Sequence, residues 1–143
     1  IKDDTLKIIG ANLKAVEKVV TDVWPGFPTD LMAPMIVLAT QAEGVTILHD
    51  WMYESRMFFV DKLLSMGAKV EIADPHRVFV YGPTKLYAQR LDTPDIRAGI
   101  ALVIAALAAK GTSEIDKVQL IERGYENITT RLSALGAKIE RVS

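Results

Sequence analysis

The sequence predicts an α/β fold, of α+β type, built from two tandem copies of one unit. Strand-like segments alternate with helix-like segments along the chain, which is typical of layered α/β proteins. The order of segments repeats after about 67 residues. The first helix of each copy is apolar on nearly every side, whereas the second is amphipathic. Each copy is therefore interpreted as a ββαβαβ unit or, divided at a different point, a βαβαββ unit.

The individual elements follow from apolar periodicity and from the glycines and prolines between them. Strands are predicted at residues 5–9, 15–21, 45–48, 68–72, 77–81, 87–91, 112–118 and 137–142. Helices are predicted at residues 31–43, 56–66, 96–110 and 125–135, each followed by a glycine. A helix that is apolar all round must be buried on all sides, so we expect the first helices of the two copies to pack together with sheets outside them. Two units alone hardly surround such a pair.

Composition excludes several classes of protein. The 143 residues are half apolar and carry a net charge of −1, which fits one globular domain and argues against non-specific nucleic-acid binding. There is no cysteine, and His49 and His76 lack ligand-like spacing, so neither a metal nor a cofactor is expected. The longest apolar run, residues 98–109, is too short to span a membrane. The chain starts at Ile1 rather than Met, and we expect part of a longer protein.

A turn of unusual composition precedes the first apolar helix. Residues 24–30 are Trp-Pro-Gly-Phe-Pro-Thr-Asp, which places Asp30 at or beside a helix N-terminus, where free N–H groups favour a carboxylate. The matching Asp95 is expected to cap the second apolar helix with fewer constraints. Because a cap needs only the Asp, the extra prolines and glycine suggest a rigid platform that aims Asp30 into a site. The alternative is a plain capped turn.

Three arginines are predicted at helix starts: Arg56, Arg97 and Arg123. Arginine there opposes the helix dipole, which suggests a purpose such as holding a phosphate or carboxylate. Arg–Asp bridging within the loops is the alternative. The nearby aromatic loop, residues 51–53, is a candidate for stacking on a ring or for plugging the end of the core.

These runs resemble the enolpyruvyl transferase family. The similar segments are residues 25–30 (PGFPTD), 95–98 (DIRA), 123–126 (RGYE) and 132–141 (LSALGAKIER). They are more similar to members that act on a UDP-sugar than to those that act on 3-phosphoshikimate. The resemblance implies an inside-out α/β barrel of βαβαββ units, with apolar helices inside and mixed sheets outside. It also implies that residues 1–143 form about two units of one domain, approximately 1–74 and 75–143, in the C-terminal part of the enzyme.

The implied reaction transfers the enolpyruvyl group of phosphoenolpyruvate to the 3-hydroxyl of UDP-N-acetylglucosamine and releases phosphate. It would start peptidoglycan synthesis in the bacterial cytoplasm, and so serve cell shape and division. Asp30 resembles the general base, and Arg97 and Arg123 resemble the arginines that hold phosphoenolpyruvate. The resemblance also places in the substrate site Thr29, Met52, Tyr53, Glu54, Arg56 and Asp95.

Several alternatives stay open. One is an enzyme of the 3-phosphoshikimate type, and another is a non-catalytic module that reuses the βαβαββ unit. A third is a structural fragment that self-associates through exposed apolar surface. The family's Lys-Asn pair and the mobile loop with its Cys or Asp acid have no counterpart in these residues, so we expect no transferase activity from the chain alone and weak binding of UDP-sugar.

Overall fold

The computed structural model describes residues 7–54 and 56–142. Within them, the strands in chain order are β1 (Lys18–Val20), β2 (Gly44–His49), β3 (Lys69–Asp74), β4 (Arg77–Gly82), β5 (Arg90–Asp92) and β6 (Glu114–Asp116). The helices in the same residues are α1 (Met32–Thr40), α2 (Val60–Ser65), α3 (Ile96–Ala108), α4 (Gln119–Glu122) and α5 (Ile128–Ala134). A 3₁₀ turn, Thr29–Leu31, leads directly into α1.

The strands form two sheets. In the first, β1 pairs in parallel with β2, and β4 pairs antiparallel with both β2 and β3, which gives the order β1-β2-β4-β3. The second is the parallel pair β5 and β6. In the described part of the chain these sheets do not close into a barrel. One mixed sheet and one parallel pair, with helices between their strands, confirm the predicted α/β class.

The two apolar helices, α1 and α3, pack against each other at the centre, as predicted. On one side β2 and β4 pack against α1, and their Leu48, Val78 and Val80 are fully buried in the core that α1 shares with α3. The opposite side is open, because Leu38 of α1 and Ile104 of α3 are 47% and 40% exposed. The described residues therefore bury these helices only in part.

The two copies share backbone details as well as element order. In each, an apolar helix connects two parallel strands. After these helices, Gly44 and Gly111 have φ angles of 123° and 106°, and a Cβ on either would lie 2.9 Å from the Cβ of Ala15 or Ala88. Glycine tolerates both the positive φ and this close approach. The same turn is thus built twice.

Some predicted strands are absent or shorter. The predicted strand at residues 5–9 falls partly outside the described residues, and residues 7–9 are exposed and not in a strand. The predicted strand at 137–142 is wrong, since these residues are irregular. In the first copy β3 is held by antiparallel pairing with β4, whereas residues 137–142 have no such partner among the described residues. Without a partner the backbone groups of a strand stay unsatisfied.

The second helix of each copy begins later than predicted. Residues 56–59 form turns, and α2 starts at Val60. Met57 and Phe59 are both buried, and a helix would turn residues two apart to different faces. In the second copy a short helix, α4, is followed by a break at Asn127, whose φ is 52°, before α5 starts. Burial of side chains accounts for the later start in the first copy, and the left-handed backbone at Asn127 accounts for it in the second.

Gly44, the first residue of β2, provides a test of the repeated turn. We expect Gly44→Ala to lower the free energy of unfolding by about 1–3 kcal/mol, because alanine must adopt an unfavourable positive φ against Ala15. Urea denaturation measures the change.

The matched control is Gly10→Ala. An added Cβ at Gly10 meets no atom within 4 Å, so we expect a change within about 0.5 kcal/mol. Equal losses in the two variants would contradict the assignment of a special role to Gly44.

Candidate functional site

The turn between β1 and α1 positions Thr29 and Asp30. The amide of Asp22 donates a hydrogen bond of 2.9 Å to the carbonyl of Phe27. A Cβ on Gly26 would lie 2.4 Å from the Cβ of Asp22, so the turn closes only with glycine there. Phe27 packs against the main core. The turn is therefore anchored at both ends, which holds the start of α1 in place.

Asp30 lies between two arginines from different parts of the chain. Its Oδ1 accepts a hydrogen bond from Nε of Arg97 and lies 3.4 Å from Nη1 of Arg56. The side chain of Asp30 is 64% exposed, so these ion pairs face solvent. The alternative of Arg–Asp bridging is thus present in the structure, and it joins the two copies rather than staying within one loop.

The arginines change the acidity of Asp30. The hydrogen bond from Arg97 lowers the pKa of Asp30 below its usual value, and the charges of Arg97 and Arg56 act in the same direction, while partial burial opposes them. The same hydrogen bond raises the pKa of Arg97. Asp30 is therefore ionised at neutral pH, and in this arrangement it is a weak base.

The guanidinium of Arg56 is held from three sides. Its Nη1 donates to Oγ1 of Thr29 at 2.5 Å and approaches Asp30 at 3.4 Å. Its central carbon lies 3.8 Å from the centroid of the Tyr53 ring, which is a cation–π contact. The side chain is only 20% exposed. This arginine is thus oriented before any ligand arrives.

A buried carboxylate, Asp50, lies behind Thr29, and the sequence analysis did not single it out. Its Oδ2 accepts from Oγ1 of Thr29 at 2.5 Å, and its Oδ1 accepts from Oγ1 of Thr21 at 3.0 Å and from the amide of Met52 at 3.2 Å. Asp50 is 0% exposed. The only sequence signal was a carboxylate directly after an apolar strand and before the aromatic loop.

Asp95 is the N-cap of α3, as predicted. Its side chain accepts hydrogen bonds from the amides of Arg97 at 2.7 Å and Ala98 at 3.1 Å. This cap and the nearby Asp30 offset the unfavourable position of Arg97 at the positive end of the helix dipole.

A small cleft lies between the starts of α1 and α3. Its lining residues are Thr29, Met32, Ala33, Arg56, Asp95, Arg97 and Ala98. Its volume is about 30 Å³, whereas pockets for small molecules usually measure about 300–1,000 Å³. The described residues thus form one face of a site rather than an enclosed pocket.

The other predicted site residues differ in how closely they are connected to this cleft. Tyr53 contacts Arg56, and Met52 supplies its backbone amide to Asp50. Glu54 and Arg123 are exposed, and within the described residues their side chains make no hydrogen bond or ion pair. Gly124 is beside the start of α3, because its added Cβ would lie 2.4 Å from a methyl of Ile96.

The expectation that three arginines start helices is correct only for Arg97. Arg56 lies in the turns before α2, and Arg123 is the C-cap of α4, where the dipole favours a cation. Phe59 and Met57 are buried together, which keeps the segment after Arg56 out of a helix. The dipole argument for an anion site therefore fails at two of the three positions.

Within the described residues, no group of three or more His, Cys, Asp or Glu side chains is close enough to hold a metal ion. No helix found there combines the length and apolar character that a bilayer crossing needs. The loop tryptophan, Trp51, is half exposed and donates from Nε1 to the carbonyl of Thr21 at 2.6 Å. It therefore does not plug the core.

Comparison with known proteins identifies the family to which this chain belongs. A sequence profile described as EPSP synthase (3-phosphoshikimate 1-carboxyvinyltransferase) matches residues 2–132. The chain belongs to this family of enolpyruvyl transferases. The solved enolpyruvyl transferase NikO from Streptomyces tendae superposes with a TM-score of 0.81 and 26% identity, over 91% of this chain and 29% of its own.

Two relatives carry the name of one particular enzyme of this family. The UDP-N-acetylglucosamine 1-carboxyvinyltransferase of Bradyrhizobium diazoefficiens is 52% identical over 98% of this chain and 32% of its own length. The protein of the same name from Treponema denticola is 55% identical over 82% of this chain and 28% of its own length. The predicted similarity to the UDP-sugar members is confirmed. The chain spans about a third of the length of these relatives.

The pKa of Asp30 provides a test of the site geometry. Because its pKa is lowered in the folded protein, its ion pairs stabilise the fold above the pKa of the unfolded chain and are lost as the pH falls through the folded value. We expect carbon-13 NMR titration to place the pKa of Asp30 below its usual value. Arg97→Gln should raise it, since the largest cause of the shift is removed.

The matched control is Arg90→Gln. Arg90 pairs with Asp116, its Nε 3.0 Å from Oδ2, on another part of the surface. We expect this variant to leave the Asp30 titration unchanged. An Asp30 pKa that does not respond to Arg97→Gln would show that the ion pair is absent in solution.

Proposed function

We propose that this chain forms the sugar-facing wall of an enzyme that transfers an enolpyruvyl group from phosphoenolpyruvate to the 3-hydroxyl of UDP-N-acetylglucosamine. The observation that carries the proposal is the convergence of Asp30, Arg56 and Arg97 at the adjoining starts of α1 and α3. The similarity to relatives named for this reaction supports the choice of substrates.

Asp30 is proposed as the base that accepts the proton of the sugar hydroxyl as its oxygen adds to C2 of phosphoenolpyruvate. Loss of phosphate then completes the transfer. A positioned carboxylate of this kind commonly contributes about 10²–10⁴-fold to rate. Asp30 is exposed and pairs with Arg56 and Arg97, which line the cleft, so it is accessible to a hydroxyl there.

The arginines are proposed to bind the anionic groups of phosphoenolpyruvate. Arg56 and Arg97 now share their donors with Asp30. A bound phosphate or carboxylate would take over these hydrogen bonds, because guanidinium groups bind such anions bidentately. That exchange would remove the interactions that lower the Asp30 pKa and so make it a stronger base. Arg123 and Thr29 are proposed to complete the substrate contacts.

The remaining walls of the site are proposed to come from other parts of a longer protein. The small cleft volume and the coverage of about a third of the relatives support this. In this proposal residues 1–74 and 75–143 are two units of one domain. The enzyme would work in the bacterial cytoplasm at the start of peptidoglycan synthesis, and Met52, Tyr53, Glu54 and Asp95 would line the sugar-nucleotide side.

A chimera tests the proposed activity. The 143 residues replace the matching segment of the Bradyrhizobium relative, and phosphate release is measured with both substrates. We expect turnover from this chimera and a loss of about 10²–10⁴-fold in kcat for Asp30→Ala, because the proton acceptor is removed. Arg123→Ala should raise KM for phosphoenolpyruvate.

The control variant in the chimera is Arg90→Ala, which removes an exposed arginine outside the cleft and should leave turnover unchanged. The 143-residue chain alone is expected to give no turnover. Full activity of the Asp30→Ala chimera, or of the isolated chain, would refute the proposal.

The partial burial of α1 and α3 is also the basis of a proposal about self-association. We propose that the isolated chain covers its exposed apolar residues, among them Leu38, Ile104 and Leu107, by pairing with another copy. Size-exclusion chromatography with light scattering is expected to show a mass above 15.8 kDa. Leu38→Glu with Ile104→Glu should shift the mass toward the monomer.

The control is Leu135→Glu, since Leu135 is 85% exposed and belongs to neither helix but lies at the C-cap of α5. A monomeric wild-type chain at all concentrations would rule out pairing through α1 and α3.

A further inference from the structure

We propose that the buried Asp50 is a positioning residue, which acts through the Thr29 hydroxyl to orient the Arg56 guanidinium toward the cleft. The inference rests on the proposed function in one respect, namely that Arg56 binds a substrate anion there. Asp50 is fully buried and does not line the cleft, so in this proposal it acts through Thr29.

The first support is the complete burial of a carboxylate with its acceptors in use. Both oxygens of Asp50 are hydrogen-bonded, Oδ2 to Thr29 and Oδ1 to Thr21 and the amide of Met52. A buried carboxylate is costly unless it is well hydrogen-bonded, and removing its partners is strongly unfavourable. The three donors therefore have fixed positions relative to Asp50.

The second support is the direction of the hydrogen-bond chain. A carboxylate only accepts hydrogen bonds and a guanidinium only donates them. The hydroxyl between them must therefore donate its proton to Asp50 and present its lone pairs to Arg56, which lies 2.5 Å away. Asp50 thus fixes the orientation of the Thr29 hydroxyl. The orientation of that hydroxyl in turn fixes the position of the lone pair that accepts from Arg56.

The third support is the second copy of the unit, which lacks this carboxylate. The amide of Thr21 donates to the carbonyl of His49, the residue before Asp50, and the amide of Thr93 donates likewise to that of Asp116. The residue after Asp116 is Lys117. The buried Thr93 hydroxyl has no partner among the described residues. The repeated fold therefore does not require a carboxylate at this position.

A substitution by asparagine reverses the direction of the chain. If the amide oxygen of Asp50→Asn keeps the bonds from Thr21 and Met52, its NH₂ group faces Thr29 and donates to it. The Thr29 hydroxyl then has no acceptor for its proton at position 50, so position 50 no longer fixes how its lone pairs face Arg56. Thr29→Val breaks the same link without changing charge.

The test measures the Arg56 guanidinium in the 143-residue chain. Nitrogen-15 relaxation of Arg56 Nε–H is recorded for wild type, Asp50→Asn and Thr29→Val, together with the affinity for inorganic phosphate by NMR titration. We expect a high order parameter in wild type and a fall below about 0.6 in both variants. Thr29→Val should also weaken phosphate binding roughly tenfold, as loss of an ordering hydrogen bond to a charged group implies.

The matched control is Thr21→Val, which removes the other hydroxyl on Asp50 and leaves the link to Arg56 intact. It should lower the midpoint of urea unfolding but leave the Arg56 order parameter and phosphate affinity unchanged. Thr29→Ser keeps a hydroxyl and should restore both readouts. In the double variant of Asp50→Asn and Thr29→Val the loss of order should not exceed that of either single variant.

An ordered Arg56 in folded Asp50→Asn and Thr29→Val, or equal disordering by Thr21→Val, overturns the inference. The order parameter is measured without any ligand, so it decides the role of Asp50 by itself. Absence of phosphate binding in wild type would count against the proposed function, while a selective loss of Arg56 order would still support the positioning role.

Discussion

The contact between α1 and α3 is the constraint on which the candidate site depends. Both helices are apolar on most sides, so burying them together removes a large apolar surface from water. They pack with their starting ends adjacent, which brings Asp30 from one and Arg97 from the other into hydrogen-bonding contact across 67 residues of chain. Packing of the core thus brings the charged groups of the site together. Any change that shifts the two helices relative to each other would separate these groups.

The site contains equal numbers of positive and negative side chains, and these differ in how deeply they are buried. Asp50 is buried and Asp30 is exposed. Arg56 links them, because it contacts both Thr29 and Asp30, and Arg97 also pairs with Asp30. Two carboxylates and two guanidinium groups leave little net charge to attract an anion at long range. Binding an anion there means replacing Asp30 as the partner of the arginines, which couples anion binding to the basicity of Asp30.

Several features could be read from local sequence because they depend on near neighbours. Asp95 caps α3 through amides two and three residues ahead, and the proline- and glycine-rich turn closes on itself around Gly26. The predicted starts of α2 and α5 are wrong, because buried side chains determine the first and the left-handed backbone of Asn127 determines the second. Residues 137–142 have strand-like composition, yet composition supplies no pairing partner.

By itself the sequence determined the repeated α/β pattern, the two apolar helices, and the positions of Asp30 and Asp95 at helix starts. Only the tertiary structure decided which charges meet. Asp50 is bonded to side chains 29 and 21 residues away, and the partners of Asp30 are 26 and 67 residues away. Periodicity and capping extend over a few residues, whereas these hydrogen bonds exist only once the sheets and helices have packed.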